Sequence, residues 1–192
     1  MAHEHSFATP APAGLAALAV ACFGFAAVFL GKVGLEGLPL LAAWLVGGFV
    51  VQYTTAVIEL KDHNLAGGNV FLFFAAFFML AAALSVFAKF MLHTYGVKPQ
   101  IYVEGWCWLA GAAFLTVVTP AYLRGSKIFF LAVVMADIVL WLLCFLDLGL
   151  ADPKIFKPFA AYLLIGIGFI GIYLAGATVC NTVFGKVIYP VK

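Results

Sequence analysis

Apolar residues fall along the chain in six long runs separated by short polar connections. The runs cover about residues 14–30, 38–58, 69–88, 105–123, 128–146 and 158–183. Each is close to the roughly 20 apolar residues that a helix needs to cross the hydrocarbon core of a bilayer. Charged side chains cluster between them: Lys32 and Glu36; Glu59, Lys61, Asp62 and His63; Lys89, His93 and Lys98; Arg124 and Lys127; Asp152, Lys154 and Lys157. No connection is long enough to hold a second domain. The pattern predicts a short N-terminal segment, residues 1–12, and one six-helix transmembrane domain over residues 13–192.

Backbone hydrogen bonding decides between helices and a barrel. Lipid satisfies no N–H or C=O group, so only helices or a closed barrel can span it. Barrel strands alternate apolar and polar residues, whereas these runs are apolar all round. The expected fold class is therefore an all-α integral membrane protein. Composition agrees: 66% of residues are hydrophobic and 9% charged, against about 25% charged in a soluble domain. Lipid must be the solvent for most of the surface.

A net charge of +2 with no basic run gives no argument for a nucleic-acid partner, and none is expected. Cys22, Cys107, Cys144 and Cys180 lie inside apolar runs without CxxC spacing, so neither a zinc site nor a disulfide framework is indicated. The N-terminus lacks a positively charged region before the first apolar run, so that run reads as a retained helix rather than a secretory signal. Charge does not orient the protein. With six spans Lys61, Arg124, Lys127, Lys186 and Lys192 share one side, and Lys32, Lys89, Lys98, Lys154 and Lys157 the other, a tie under the positive-inside rule.

Small residues at four-residue spacing, Ala17 with Ala21 and Gly171 with Ala175, allow helix backbones to approach closely. Polar groups inside the runs are the functional pointers. Thr54, Thr55, Thr116, Thr119, Thr178 and Thr182 can bond back to their own helices. Gln52 and Asn181 need other partners, either along a pore or in a neighbouring helix. Asp137 lies mid-run, where an acid costs about 2.5–3.5 kcal/mol to insert. It must be protonated, paired or facing water, and no intramembrane Lys or Arg is present to pair with it. His3, His5, His63 and His93 fall outside the apolar cores, where they cannot ligate a haem inside the bundle. Glu59, Asp62 and His63 read as a solvated loop rather than a metal site. No nucleophile triad, phosphate loop or metal cluster is spaced for chemistry, so no enzyme, metal or cofactor is expected. Two helix openings, residues 9–14 with two prolines and residues 64–69, could present N–H groups to an anion.

Three stretches resemble the acetate/succinate permease, or acetate uptake transporter, family. Residues 9–15 read TPAPAGL, similar to the family's N-P-A-P-x-G-L. Residues 59–67 read ELKDHNLAG, similar to E-[FY]-x-x-G-N-T-F-G. Residues 173–190 read YLAGATVCNTVFGKVIYP, similar to Y-L-A-x-x-x-x-x-N-x-x-F-G-x-x-x-x-P. The resemblance spans nearly the whole chain. It implies a pore through each six-helix protomer, a homo-hexamer in the cell inner or plasma membrane, and both termini in the cytoplasm. It also implies transport of small monocarboxylates, chiefly acetate and in some members succinate, by channel-like or proton-coupled movement.

The family's pore is narrowed by a Phe, a Tyr and a Leu. Here the Phe falls on Leu18, the Tyr on Phe74, and the Leu on Ala136 or Asp137, depending on a one-residue gap near Arg124. Glu59, Asn64, Gly67, Phe71 and Phe77 match the family. The opening Asn becomes Thr9, and the middle motif's Gly, Thr and Phe become His63, Leu65 and Ala66. An ionised Asp137 about 4 Å from acetate would cost roughly 4 kcal/mol at an effective dielectric near 20, slowing passage about a thousandfold.

The leading expectation is thus a carrier of acetate-like monocarboxylates. Thr9, Pro10, Ala11, Pro12, Ala13 and Gly14 would form a helix-start anion site. Gln52, Glu59, Asn64 and Asn181 would be polar pore residues, Leu18 and Phe74 the apolar gate, with Ala136 or Asp137 at the third constriction position, and Asp137 would carry the coupling proton. The alternatives are a pore for ammonia, ammonium or another small neutral solute, and a non-transporting sensor on the same fold.

Overall fold

A computed structural model describes residues 8–191; His3, His5 and Lys192 lie outside the described residues. Six helices are long and apolar enough to cross a membrane, and the protein is a multi-pass integral membrane protein. We label them α1 (Ala11–Phe29), α2 (Leu38–Lys61), α3 (Leu65–Thr94), α4 (Tyr102–Val118), α5 (Lys127–Asp147) and α6 (Pro153–Phe184). A single 3-10 turn, Leu35–Gly37, leads into α2, and α4 tightens into another, Thr119–Arg124.

Local chemistry sets the boundaries. Helix α1 starts at a proline, with Pro12 in its first turn, where a missing N–H costs nothing. It ends in a left-handed Gly31 (φ 66°), with Gly31 N donating to Val28 O and Lys32 N to Ala27 O, a Schellman ending. Helix α6 begins at Pro153 rather than at Pro158, because Asp152 accepts a bond from Lys154 N (2.9 Å) and so supplies a cap. Pro158 then sits inside the helix.

The helices close into a ring. Contacts join α1 to α2, α2 to α3, α4 to α5, α5 to α6, and most extensively α6 back to α1. The α3–α4 seam carries the rings of Phe73 and Phe114, 4.9 Å apart. The α1–α6 seam is narrow because of small residues. A Cβ on Gly171 would stand 3.1 Å from Leu15 O, so α1 backbone lies directly over that glycine. Ala17 and Ala21 are buried. Midway along α3, residues Phe74–Ala81 form a π-helical stretch, a winding that re-aims side chains and often marks functional positions.

Candidate functional site

Two cavities adjoin inside the ring. The larger, about 700 Å³, opens at the end of the bundle formed by the end of α1, the starts of α2, α4 and α6, and the ends of α3 and α5. Its wall is mainly apolar and aromatic, including Phe25, Phe73, Phe77, Phe78 and Trp108. Ser85, Lys89, Glu104, Asp147 and Lys157 also line it. Lys89 pairs with Oε2 of Glu104, and Ser85 donates its hydroxyl to Oε1. Both oxygens of Glu104 are thereby occupied.

The second cavity, about 10 Å³, adjoins the first through the shared residues Phe78 and Leu164. Leu18 and Cys22 of α1, Phe74 and Phe78 of α3, Ala136, Val139 and Leu140 of α5, and Leu164 and Ile167 of α6 line it. Four helices thus converge on an apolar throat with room for about one water-sized sphere. Leu18, Phe74 and Ala136 meet there. Cys22, Phe78 and Leu140 were missed from sequence, although each lies four residues beyond one of those three and so on the same helix face.

Beyond the throat, toward the end carrying the chain termini, Phe71 rests on Gly14. A Cβ on Gly14 would come within 2.7 Å of that ring and 2.9 Å of the Thr55 methyl. Polar groups of α2 hold the start of α1 in place. Gln52, fully buried, donates Nε2 to Gly14 O (3.3 Å), and Thr55 donates to Pro10 O (3.4 Å). Gln52 Oε1 is buried without a hydrogen-bond partner. Thr9 donates its hydroxyl to Glu59 Oε1 (2.9 Å), and Asn64 donates Nδ2 to Glu59 Oε2. Asn64 also caps α3 by accepting from Gly67 N (3.1 Å). Tyr122 reaches Ala66 O (3.1 Å) from the α4–α5 connection.

The α2–α3 connection explains its motif. Asn64 N donates to Glu59 O and His63 N to Leu60 O, so α2 ends in a Schellman motif with His63 left-handed at φ 61°. The residue closing that motif, Asn64, is at once the cap of the next helix. The turn wants glycine at position 63, and this chain places histidine there.

Three expectations need correction. The first turn of α1 offers no free N–H to an anion: Pro10 and Pro12 have none, Ala11 N donates to Thr9 Oγ1, and Ala13 N and Gly14 N donate to Pro10 O. Asn181 does not face the interior. It accepts from Ile188 N (2.7 Å) and Tyr189 N (3.0 Å) and donates to Tyr189 O (2.8 Å), clasping the tail that folds back after Gly185. Tyr173 completes the clasp through Pro190 O (2.6 Å), and Ser126 through Val191 O (2.5 Å). Asp137 lines neither cavity. Its carboxylate accepts from Thr116 (3.1 Å) and Thr119 (2.5 Å) of the neighbouring span, and Trp141 Nε1 donates to Thr116 Oγ1 (3.1 Å). One residue is a rotation of about 100° on a helix, and it sends Ala136 inward and Asp137 toward α4.

A closed ring of six membrane-spanning helices, holding a wide chamber above a narrow apolar throat, defines a transporter or channel. The chain belongs to the GPR1/FUN34/yaaH family, whose model matches residues 1–190. Among solved structures it is similar to the bacterial acetate channel SatP, with 21% sequence identity, 97% of this chain and 99% of that chain covered, and a TM-score of 0.82. No curated protein gives a significant match.

Proposed function

We propose that this protein is a membrane pore for small monocarboxylates, acetate foremost, running through each protomer from the chamber, across the throat, to the Thr9–Glu59–Asn64 end. The observation that carries this reading is the meeting of Leu18, Phe74 and Ala136 around an apolar space of about 10 Å³ directly beneath a chamber of about 700 Å³. Family membership and the likeness to an acetate channel support it.

Throat chemistry narrows the substrate. No carboxylate, amine or guanidinium lines it among the described residues. A hydrated inorganic ion would lose its water there without compensation. A short acid with a methyl tail has less to lose, and least in its undissociated form. Succinate carries a second carboxyl and is expected to pass more slowly. With Asp137 bonded to Thr116 and Thr119 outside the lumen, the throat has no fixed acid to serve as a proton relay or to favour ammonium. Channel-like movement is the simpler reading.

The same cluster supports an assembly of several protomers. Asp137 and Thr116 are partly exposed at membrane depth, where lipid offers no hydrogen bonds. A neighbouring protomer covering this face fits the hexamer expected from the family resemblance.

The test is radiolabelled acetate uptake by proteoliposomes with matched empty vesicles. Uptake should exceed that of empty vesicles and fall when Ala136 is enlarged. Equal uptake in both would refute the proposal.

A further inference from the structure

The chamber is far larger than acetate requires. Its volume lies in the range of about 300–1,000 Å³ typical of small-molecule sites, yet the space beneath admits little more than a water-sized sphere. The throat must widen even for acetate, and a longer acid must in addition pull its tail off the chamber's apolar wall before it can follow. The walls are also graded. Ser85 and Lys89 lie in the second half of α3, Glu104 in the first turn of α4, Asp147 at the end of α5 and Lys157 near the start of α6, all toward the loop end. Phe25, Phe73, Phe77, Phe78, Trp108 and Leu164 supply the apolar surface leading to the throat.

The rim charges are not equivalent. Lys89 and Glu104 saturate one another, with Ser85 on the remaining oxygen. Lys157 makes no hydrogen bond or ion pair among the described residues, and neither does Asp147, which feels Lys89, Glu104 and Lys157 electrostatically. The rim therefore presents one uncommitted ammonium and one uncommitted carboxylate above a deep aromatic wall.

We propose that the chamber is a binding site for amphiphilic monocarboxylic acids with longer tails than acetate, retained by its apolar wall. The acid head sits at Lys157, the tail lies against Phe77, Phe78 and Trp108, and the bound acid blocks acetate. The inference rests on the reading of the chamber as the pore's mouth. Tail length should set affinity: each buried methylene tightens binding about fourfold, so butyrate, hexanoate and octanoate should form a graded series. Asp147 repels a carboxylate head, so Asp147→Asn should tighten binding while Lys157→Gln weakens it.

A native thiol reports occupancy. Cys107 lines the chamber and is exposed, Cys22 and Cys144 are buried, and Cys180 can be removed as Cys180→Ser. In the full chain in lipid nanodiscs, octanoate should slow maleimide labelling of Cys107 at least tenfold, and acetate at equal concentration should not. Lys157→Gln should raise the half-protecting octanoate concentration about tenfold, and Asp147→Asn should lower it. In proteoliposomes the same octanoate should inhibit acetate flux. Unchanged labelling with octanoate overturns the proposal. So does equal protection by octanol, which would make the chamber a slot for any acyl tail, or protection that Lys157→Gln leaves untouched. Acetate flux without protection refutes this site and leaves the pore reading intact. Protection without any acetate flux refutes the pore reading and leaves the site.

Discussion

The hydroxyl of Thr9 donates to Oε1 of Glu59 at 2.9 Å, joining the residue before the Pro10 cap of α1 to the last turn of α2 across the termini end of the bundle. Glu59 is buried, and its other oxygen is held by Asn64. One carboxylate therefore fixes the entries of two helices, α1 and α3. Thr9→Val removes the donor and should cost about 1–2 kcal/mol, below the full range for a buried charged bond because Thr9 itself is exposed. Thr9→Asn supplies an amide donor and should recover most of it. Thermal unfolding in detergent, with Glu59→Ala completing a double-mutant cycle, measures the coupling. Additive losses would show that the two residues are not coupled.

His63 is the left-handed residue of the α2 Schellman motif, at φ 61°. A left-handed conformation costs an L-residue about 1–2 kcal/mol, part of which glycine gives back through its greater freedom in the unfolded chain. His63→Gly should therefore stabilise the protein by about 0.5–1 kcal/mol. His63→Val, β-branched at a positive φ, should destabilise it by more than that. Opposite shifts of the two melting midpoints from the parent are the expected result, and a lower midpoint for the glycine variant would contradict it.

Six runs of apolar residues were enough to count the helices, because insertion into lipid depends on hydropathy along the chain and not on tertiary detail. Boundaries depended on capping, and the sixth helix shows why: Pro158 looked like a start until Asp152 and Pro153 supplied a better one five positions earlier. The proline-rich opening of α1 misled in another way. A helix start normally exposes donors, but two of these residues have no N–H and Thr9 and Pro10 satisfy the rest. The resemblance alone singles out Leu18 and Phe74, and both line the smaller cavity. Ala136 and Asp137 could not be separated, since a one-residue gap rotates the helix by about 100°. Asn181 finds its partners in an irregular tail, and the Ser85–Lys89–Glu104 group forms only where the end of α3 meets the start of α4. Neither has a periodic signal.

The tail clasp gives a local prediction. Asn181→Ala deletes three hydrogen bonds to Ile188 and Tyr189. These are exposed, so water replaces much of their energy, and each is worth about 0.5–1.5 kcal/mol at most. Global stability should change little. Amide exchange at positions 188 and 189 should rise at least tenfold, because the bonds that protect these amides come from this one side chain. Tyr173→Phe removes only the bond to Pro190 O and should loosen the tail less. Exchange unchanged in Asn181→Ala would mean that Ser126 and Tyr173 hold the tail without it.

The adjacent pair Ala136 and Asp137 separates passage from packing. Ala136 lines the throat, and a leucine there must fit a space of about 10 Å³. Overpacking of this kind costs about 1–3 kcal/mol when neighbours have to move. Under the proposed function the added side chain stands in the substrate's path, so acetate flux through Ala136→Leu should drop at least tenfold, and Ala136→Gly should raise it. Asp137→Asn keeps a side-chain oxygen for Thr119 or Thr116 and leaves the throat untouched, so flux should stay within about twofold of the parent. Its dependence on pH should be unchanged too, since no charge in the path has been altered. Asp137→Leu abolishes both contacts to the threonines; its effect should appear in stability or assembly, read by melting and by size in detergent, before it appears in flux per folded protein. A large, pH-dependent loss of flux in Asp137→Asn, with Ala136→Leu transporting normally, would reverse the assignment and put the carboxylate back in the path.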